Sequence, residues 1–206
     1  MRRIAFCAGA VVVLGCCAGL ASAQDITQAD RDRAVQYLEQ TKKAVIDATA
    51  GLSEAQWNFK PGPDRWSVAE VMEHLAASED MIRGMVQEKV MKSPVVALRD
   101  PLEVKKIDDS VIANVTDRSH KIQAPEPLKP TNRFGSPAEA GKHFLESRAI
   151  TEEYLKSTHD LRVHTMDSPM GVPLDGYEWV LLLTAHSERH TKQIVEVKAD
   201  PNFPKS

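Results

Sequence analysis

Four helix-start signals of one kind recur along this chain, and each opens a long segment with helical hydrophobic spacing. Ser67-x-x-Glu70, Ser136-x-x-Glu139 and Asp175-x-x-Glu178 place a capping oxygen three residues before a glutamate, and Thr27-x-x-Asp30 does the same with the shorter acid. In such a box the first side chain accepts an orphan N–H of the first turn while the acid reaches back to the cap's own N–H. Pro137 adds the first-turn proline that favours a helix start. The segments that follow, 28–49, 68–91, 137–157 and 176–199, carry apolar residues three and four apart. With no convincing strand pattern beside them, they predict an all-α four-helix bundle.

The connections refine that expectation. Residues 52–66 form a compact loop with Trp57, Pro61, Gly62, Pro63 and Trp66. Between the second and third long helices lies a much longer stretch, 93–135, with prolines at 94, 101, 125, 127 and 130. It holds a short helix over 101–115 and then reads as an extended, proline-rich crossover. So long a link suits second and third helices that run parallel, since a short turn would make them antiparallel. Residues 159–175 read as a loop with a brief extended piece, and the pattern shows neither an internal repeat nor a second domain.

The first 23 residues read as a secretory signal peptide. Arg2 and Arg3 form a basic start, residues 4–20 are uncharged, and Ala21-Ser22-Ala23 is a small-residue cleavage site before Gln24. An uncleaved anchor is the minor alternative, the apolar run being slightly long. The reading gives an exported protein, periplasmic or extracellular, with residues 24–206 as a single domain. Cys7, Cys16 and Cys17 all fall in the leader, so the remainder has neither a disulfide nor a thiol nucleophile. Loss of Arg2 and Arg3 takes the formal charge from −3 to −5. No basic stripe or stacking aromatic cluster suits nucleic acid, and no later apolar run would span a bilayer.

The last helix carries the chemistry. Leu183, His186, His190, Ile194 and Val197 share one face, so the stripe that should be apolar turns two imidazoles inward. Burying them costs free energy unless each nitrogen finds a partner, and residues one turn apart can share a metal ion. On the second long helix Val71, His74, Ser78 and Met81 share a face, so His74 also leans inward. A lone HxxxH is more often a satisfied core pair than a metal site, and that reading stays open here. A zinc-protease motif does not fit. Ser187 stands where that motif needs glutamate, Glu188 is turned roughly 200° from His186, and Arg189 fills the glutamate position of the reversed motif.

The other histidines, His120, His143, His159 and His164, share no spacing and read as surface or loop residues. Trp57 and Trp66 read as loop anchors. Met81, Met85 and Met91 read as core filling.

Trp57-Asn-Phe-Lys-Pro61, Arg65-Trp66-Ser67-Val68-Ala69-Glu70, Glu73-His74-Leu75-Ala76 and His186-Ser-Glu-Arg-His190 together resemble the two signatures of the DinB superfamily, in order and over essentially the whole chain after the leader. The resemblance implies an up-down-down-up bundle holding a divalent metal on three histidines. Carried over by position, these are His74, His186 and His190. Three imidazoles with an open position make a catalytic type of site. They suit zinc, nickel, copper or iron, with zinc or nickel placed first. Several relatives are thiol-dependent transferases, so the resemblance implies metal-activated water or metal-activated thiol, in a hydrolase or a transferase acting on a small molecule.

Two alternatives stand beside that expectation. One is a non-catalytic metal-binding or stress-associated bundle, dimeric through an exposed helix face. The other is histidines that share no ion, with nitrogens too far apart to do so. Because ligands must be neutral, metal is expected to leave as the pH falls through roughly 6.5.

Overall fold

A computed structural model describes residues 26–205; the leader reading falls on residues outside them. Six α-helices follow in order among the described residues: α1 Gln28–Thr49, α2 Glu54–Asn58, α3 Val68–Glu88, α4 Pro101–Thr116, α5 Pro137–Ser157 and α6 Gly176–Lys198. Four of the starts are those read from the sequence. Thr27, Ser67 and Asp175 close reciprocal boxes with Asp30, Glu70 and Glu178, while Ser136 accepts from Glu139 N–H alone. A fourth reciprocal box, Ser53 with Gln56, opens α2, a one-and-a-half-turn helix inside the 52–66 loop.

The bundle is built from α1, α3, α5 and α6, and its buried side chains separate into two ends. One cluster joins Ala34 and Leu38 of α1, Ile82 and Val86 of α3, Leu155 of α5 and residues 177–183 of α6. The other joins Val45 and Ala48, Val68 to Ala76, Ala140 and Phe144, and Ile194 and Val197. The N-terminal halves of α1 and α6 therefore lie beside the C-terminal halves of α3 and α5. This is the up-down-down-up arrangement, with α3 and α5 parallel across the long crossover as expected. Each of α3 and α6 packs on the other and on a further long helix, and α4 lies outside against α6.

The brief extended piece expected within residues 159–175 is a hairpin. Thr165–Asp167 and Pro173–Asp175 pair antiparallel as a small hairpin leading into α6. Three-residue strands are too short to show the period-two alternation that marks a strand in sequence. Arg162, beside this hairpin, donates to both oxygens of Asp108 on α4 at 2.9 Å and lies 4.0 Å over the ring of Tyr177. That ion pair clamps α4 and the hairpin to the start of α6. No helix among the described residues is long and apolar enough to cross a membrane.

Candidate metal centre

α3 contributes His74 and α6 contributes His186 and His190. His74 stands two turns into α3, on the face buried against α6, and is 3 % exposed; His190 is 8 % exposed. The three Nε2 atoms converge: His74 lies 3.2 Å from His186 and 3.1 Å from His190, and His186 and His190 are 3.1 Å apart. Among the described residues these three are the group of histidine, cysteine and acidic side chains able to share one ion. The reading in which they lie too far apart is thus excluded by geometry.

The outer nitrogens decide what the inner ones can do. His74 Nδ1 lies 2.8 Å from the carbonyl oxygen of Leu128, which can only accept, so Nδ1 carries the proton and Nε2 presents a bare lone pair. His190 Nδ1 donates in the same way to Gln193 Oε1 at 2.8 Å. Two lone pairs therefore face each other at 3.1 Å with no hydrogen between them. Such an arrangement is repulsive unless a cation, or the Nε2–H of a neutral His186 at 3.2 and 3.1 Å, lies among them. The spacing suits a cation. Nitrogens 2.0–2.1 Å from a common ion are about 2.9 Å apart at adjacent octahedral positions and about 3.3 Å apart in a tetrahedron, and the observed separations fall between.

Burial reinforces this. Removal from water holds His74 below the ordinary histidine range and His190 well below it. His186 keeps some exposed surface, yet burial of its ring, with His74, Arg189 and Arg148 nearby, pushes it down to about 3. All three imidazoles are neutral at physiological pH, the state a metal ligand needs.

The surroundings fix the triad. The ring of Trp66 lies 4.9 Å from that of His74 and 6.4 Å from that of His190, so it covers the imidazoles as well as anchoring its loop on the bundle. Glu73 accepts the backbone N–H groups of Thr131, Asn132 and Arg133 at 2.7, 2.8 and 3.2 Å, tying the end of the crossover to α3. Arg189 donates to the carbonyls of Asp117 and His120, tying its beginning to α6. Glu188 faces α1, where Tyr37 Oη donates to it at 2.7 Å, as its place on the helix requires.

The remaining histidines stay apart from the triad: His143 bonds Asp80, His164 meets Ser93 O and His120 meets Ser119. Sequence reasoning missed Leu128, Gln193 and Glu73. Gln193 carried a signal, three residues after His190 on one helix face. A main-chain carbonyl such as that of Leu128 carries none.

The sequence profile of the DinB superfamily matches residues 28–194, a span that contains all three histidines. An uncharacterized protein of Bacillus subtilis, YuaE, is 26 % identical over 152 residues, covering 72 % of this chain and 86 % of its own. Two solved structures share the fold. YfiT of Bacillus subtilis, described as a probable metal-dependent hydrolase with an unusual four-helix bundle topology, matches with TM-score 0.53 at 14 % identity over 87 % of this chain and 91 % of its own. A conserved protein of Enterococcus faecalis matches with TM-score 0.54 at 17 % identity over 81 % and 94 %.

Proposed function

The chain belongs to the DinB superfamily, and from that premise we propose that it is an exported metal-dependent enzyme whose ion is held by His74, His186 and His190. The observation that carries the reading is the pair of bare lone pairs, on His74 and His190 Nε2, facing each other at 3.1 Å. His74, His186 and His190 would hold a divalent transition ion, zinc or nickel first, which when bound would supply Lewis acidity to a water or thiol. The chain's own residues do the rest. Leu128 O and Gln193 hold the tautomers and Trp66 covers two of the rings, while His186 alone of the three keeps partial exposure. The hydrolytic form is favoured by the structural relative described as a probable metal-dependent hydrolase. Export rests on the sequence of residues 1–23, with cleavage after Ala23.

A second reading, a non-catalytic metal-binding bundle, is favoured by how closed the triad is, His74 being 3 % and His190 8 % exposed.

The test is the metal content of untagged residues 24–206 by elemental mass spectrometry, beside His186→Ala. Near one equivalent of one transition metal, lost in the variant, is the expected result. No metal and no uptake on titration would overturn the proposal. The loaded protein, screened with activated esters and with a thiol plus an aryl halide, separates hydrolase from transferase. Inactivity in both screens leaves the non-catalytic bundle.

A further inference from the structure

α6 is oriented by an apolar stripe only in its C-terminal half, where Ile194 and Val197 enter the core. A helix with one apolar stripe is oriented by that stripe, but residues 176–185 of α6 are buried without a break, all round the helix. Apolar burial in that half does not select which face meets α3. Yet rotation sets the metal geometry. An imidazole Nε2 stands ~6 Å from the helix axis, so a turn of about 10° moves it by about 1 Å.

A polar contact at the bundle centre fixes the rotation where the two halves meet, beside the histidines. Arg148 of α5 is 0 % exposed, and all five of its N–H groups are used. Nε and Nη2 donate to the two oxygens of Glu79 on α3 at 2.9 and 2.8 Å. Nη1 donates to Leu38 O and Thr41 Oγ1 on α1 at 3.0 and 2.9 Å. The second N–H of Nη2 goes to Ser187 Oγ on α6 at 2.7 Å. Thr151 of α5 completes the set by donating to Glu79 at 2.8 Å.

The helix that presents His74 thus presents Glu79 five residues on, and the helix that presents His186 and His190 presents Ser187 between them. The guanidinium is planar and its fork is rigid. Once Glu79 grips it bidentately, the direction of the N–H that meets Ser187 is settled relative to α3. We propose that Arg148, held by Glu79, is the positioning residue of the metal centre, setting through Ser187 the rotation of α6 that aims His186 and His190 at His74. This rests on the three-histidine reading above.

Ser187 and Thr41 allow a controlled test, because each offers one hydroxyl to the same guanidinium and they are 2 % and 3 % exposed. Only Ser187 lies on a ligand-bearing helix. The unaltered protein, Ser187→Ala and Thr41→Val are titrated in the metal-free state with cobalt(II), reading the ligand-field bands and the affinity against a chromophoric chelator, beside Tm. Both variants lose Tm to a similar degree. Ser187→Ala binds cobalt about tenfold more weakly, with shifted bands, while Thr41→Val binds it as the unaltered protein does. Ser187→Ala with unchanged affinity and bands, or Thr41→Val weakened equally, overturns the positioning role. An unaltered protein that takes up no cobalt overturns the metal centre itself, and the positioning role with it.

Discussion

Glu73 Oε2 accepts the backbone N–H of Asn132 at 2.8 Å, at a turn where this non-glycine residue takes φ 61°. Residues with side chains seldom hold that left-handed conformation without local support. Here the support comes from α3, one residue before the histidine that Leu128 O orients. The end of the crossover and the start of the metal centre are thus one connected structure.

Glu73→Ala should therefore do two things at once. It removes the charged acceptor of three backbone N–H groups in a turn of exposed residues, which costs about 1.5–3 kcal/mol, and it frees the segment that places Leu128 O on His74. Thermal denaturation should show the loss of stability, and cobalt titration an affinity about tenfold lower. An undiminished affinity would mean that the crossover does not hold the tautomer.

The same carboxylate has a pH signature. Burial alone would raise Glu73, but the backbone donors and Arg133 outweigh it and hold the group below its ordinary value. Its stabilisation is present above about pH 4.3 and is lost as the pH falls through the lower folded value. Acid unfolding of Glu73→Ala should lose the corresponding part of the slope.

The histidines predict a stronger effect at higher pH. Each titrates lower in the folded than in the unfolded chain, where the ordinary value is about 6.5, and His186 is pushed down to about 3. Below pH 6.5 the unfolded chain binds more protons than the folded one, so the metal-free protein loses stability as the pH drops. Its Tm should decline from about pH 6.5 towards pH 4, and less steeply in His186→Leu. A flat profile would place the imidazoles in water.

Arg148→Met should be among the most damaging single changes, since it leaves Glu79 buried without its partner, at about 3–5 kcal/mol. Arg148→Met combined with Glu79→Met removes both charges, and Thr41, Thr151 and Ser187 then have fallback acceptors in Leu38 O, Ser147 O and Leu183 O. The double variant should recover most of the lost Tm. Failure to recover would show that the hub contributes stability beyond cancelling its own burial.

Gly176→Ala tests the seat of α6. A Cβ there would lie 2.9 Å from Met91 Sδ and 3.1 Å from Leu161 O, the carbonyl to which Gly176 N–H donates at 2.8 Å. Overpacking of about 1–3 kcal/mol is expected, read as a lower Tm with metal stoichiometry unchanged.

Much of this protein was legible before any folding. Ser67 with Glu70 and Asp175 with Glu178 mark helix starts because both partners of a capping box lie within four residues, where spacing alone decides the bond. His186 and His190 are legible for the same reason: one turn of helix sets their relation, and the apolar stripe gives their direction. His74 needed its own helix face and the family resemblance. The length of the crossover gave α3 and α5 as parallel, and the full up-down-down-up order came with the family resemblance. Residues 165–175 were less legible, since strands of three residues are stabilised by each other and by Arg162 more than by any pattern of their own.

By itself, then, the amino-acid sequence determined the helices, their faces and the three imidazoles that those faces turn inward, all of which are relations over a few residues of regular backbone. Tertiary structure alone decided that the three Nε2 atoms meet within 3.2 Å. It also decided that Leu128 offers the carbonyl that fixes His74, and that Arg148 finds Glu79 from 69 positions away. Main-chain carbonyls are alike at every residue, and a distant salt-bridge partner is selected by packing. Neither leaves a local trace along the chain.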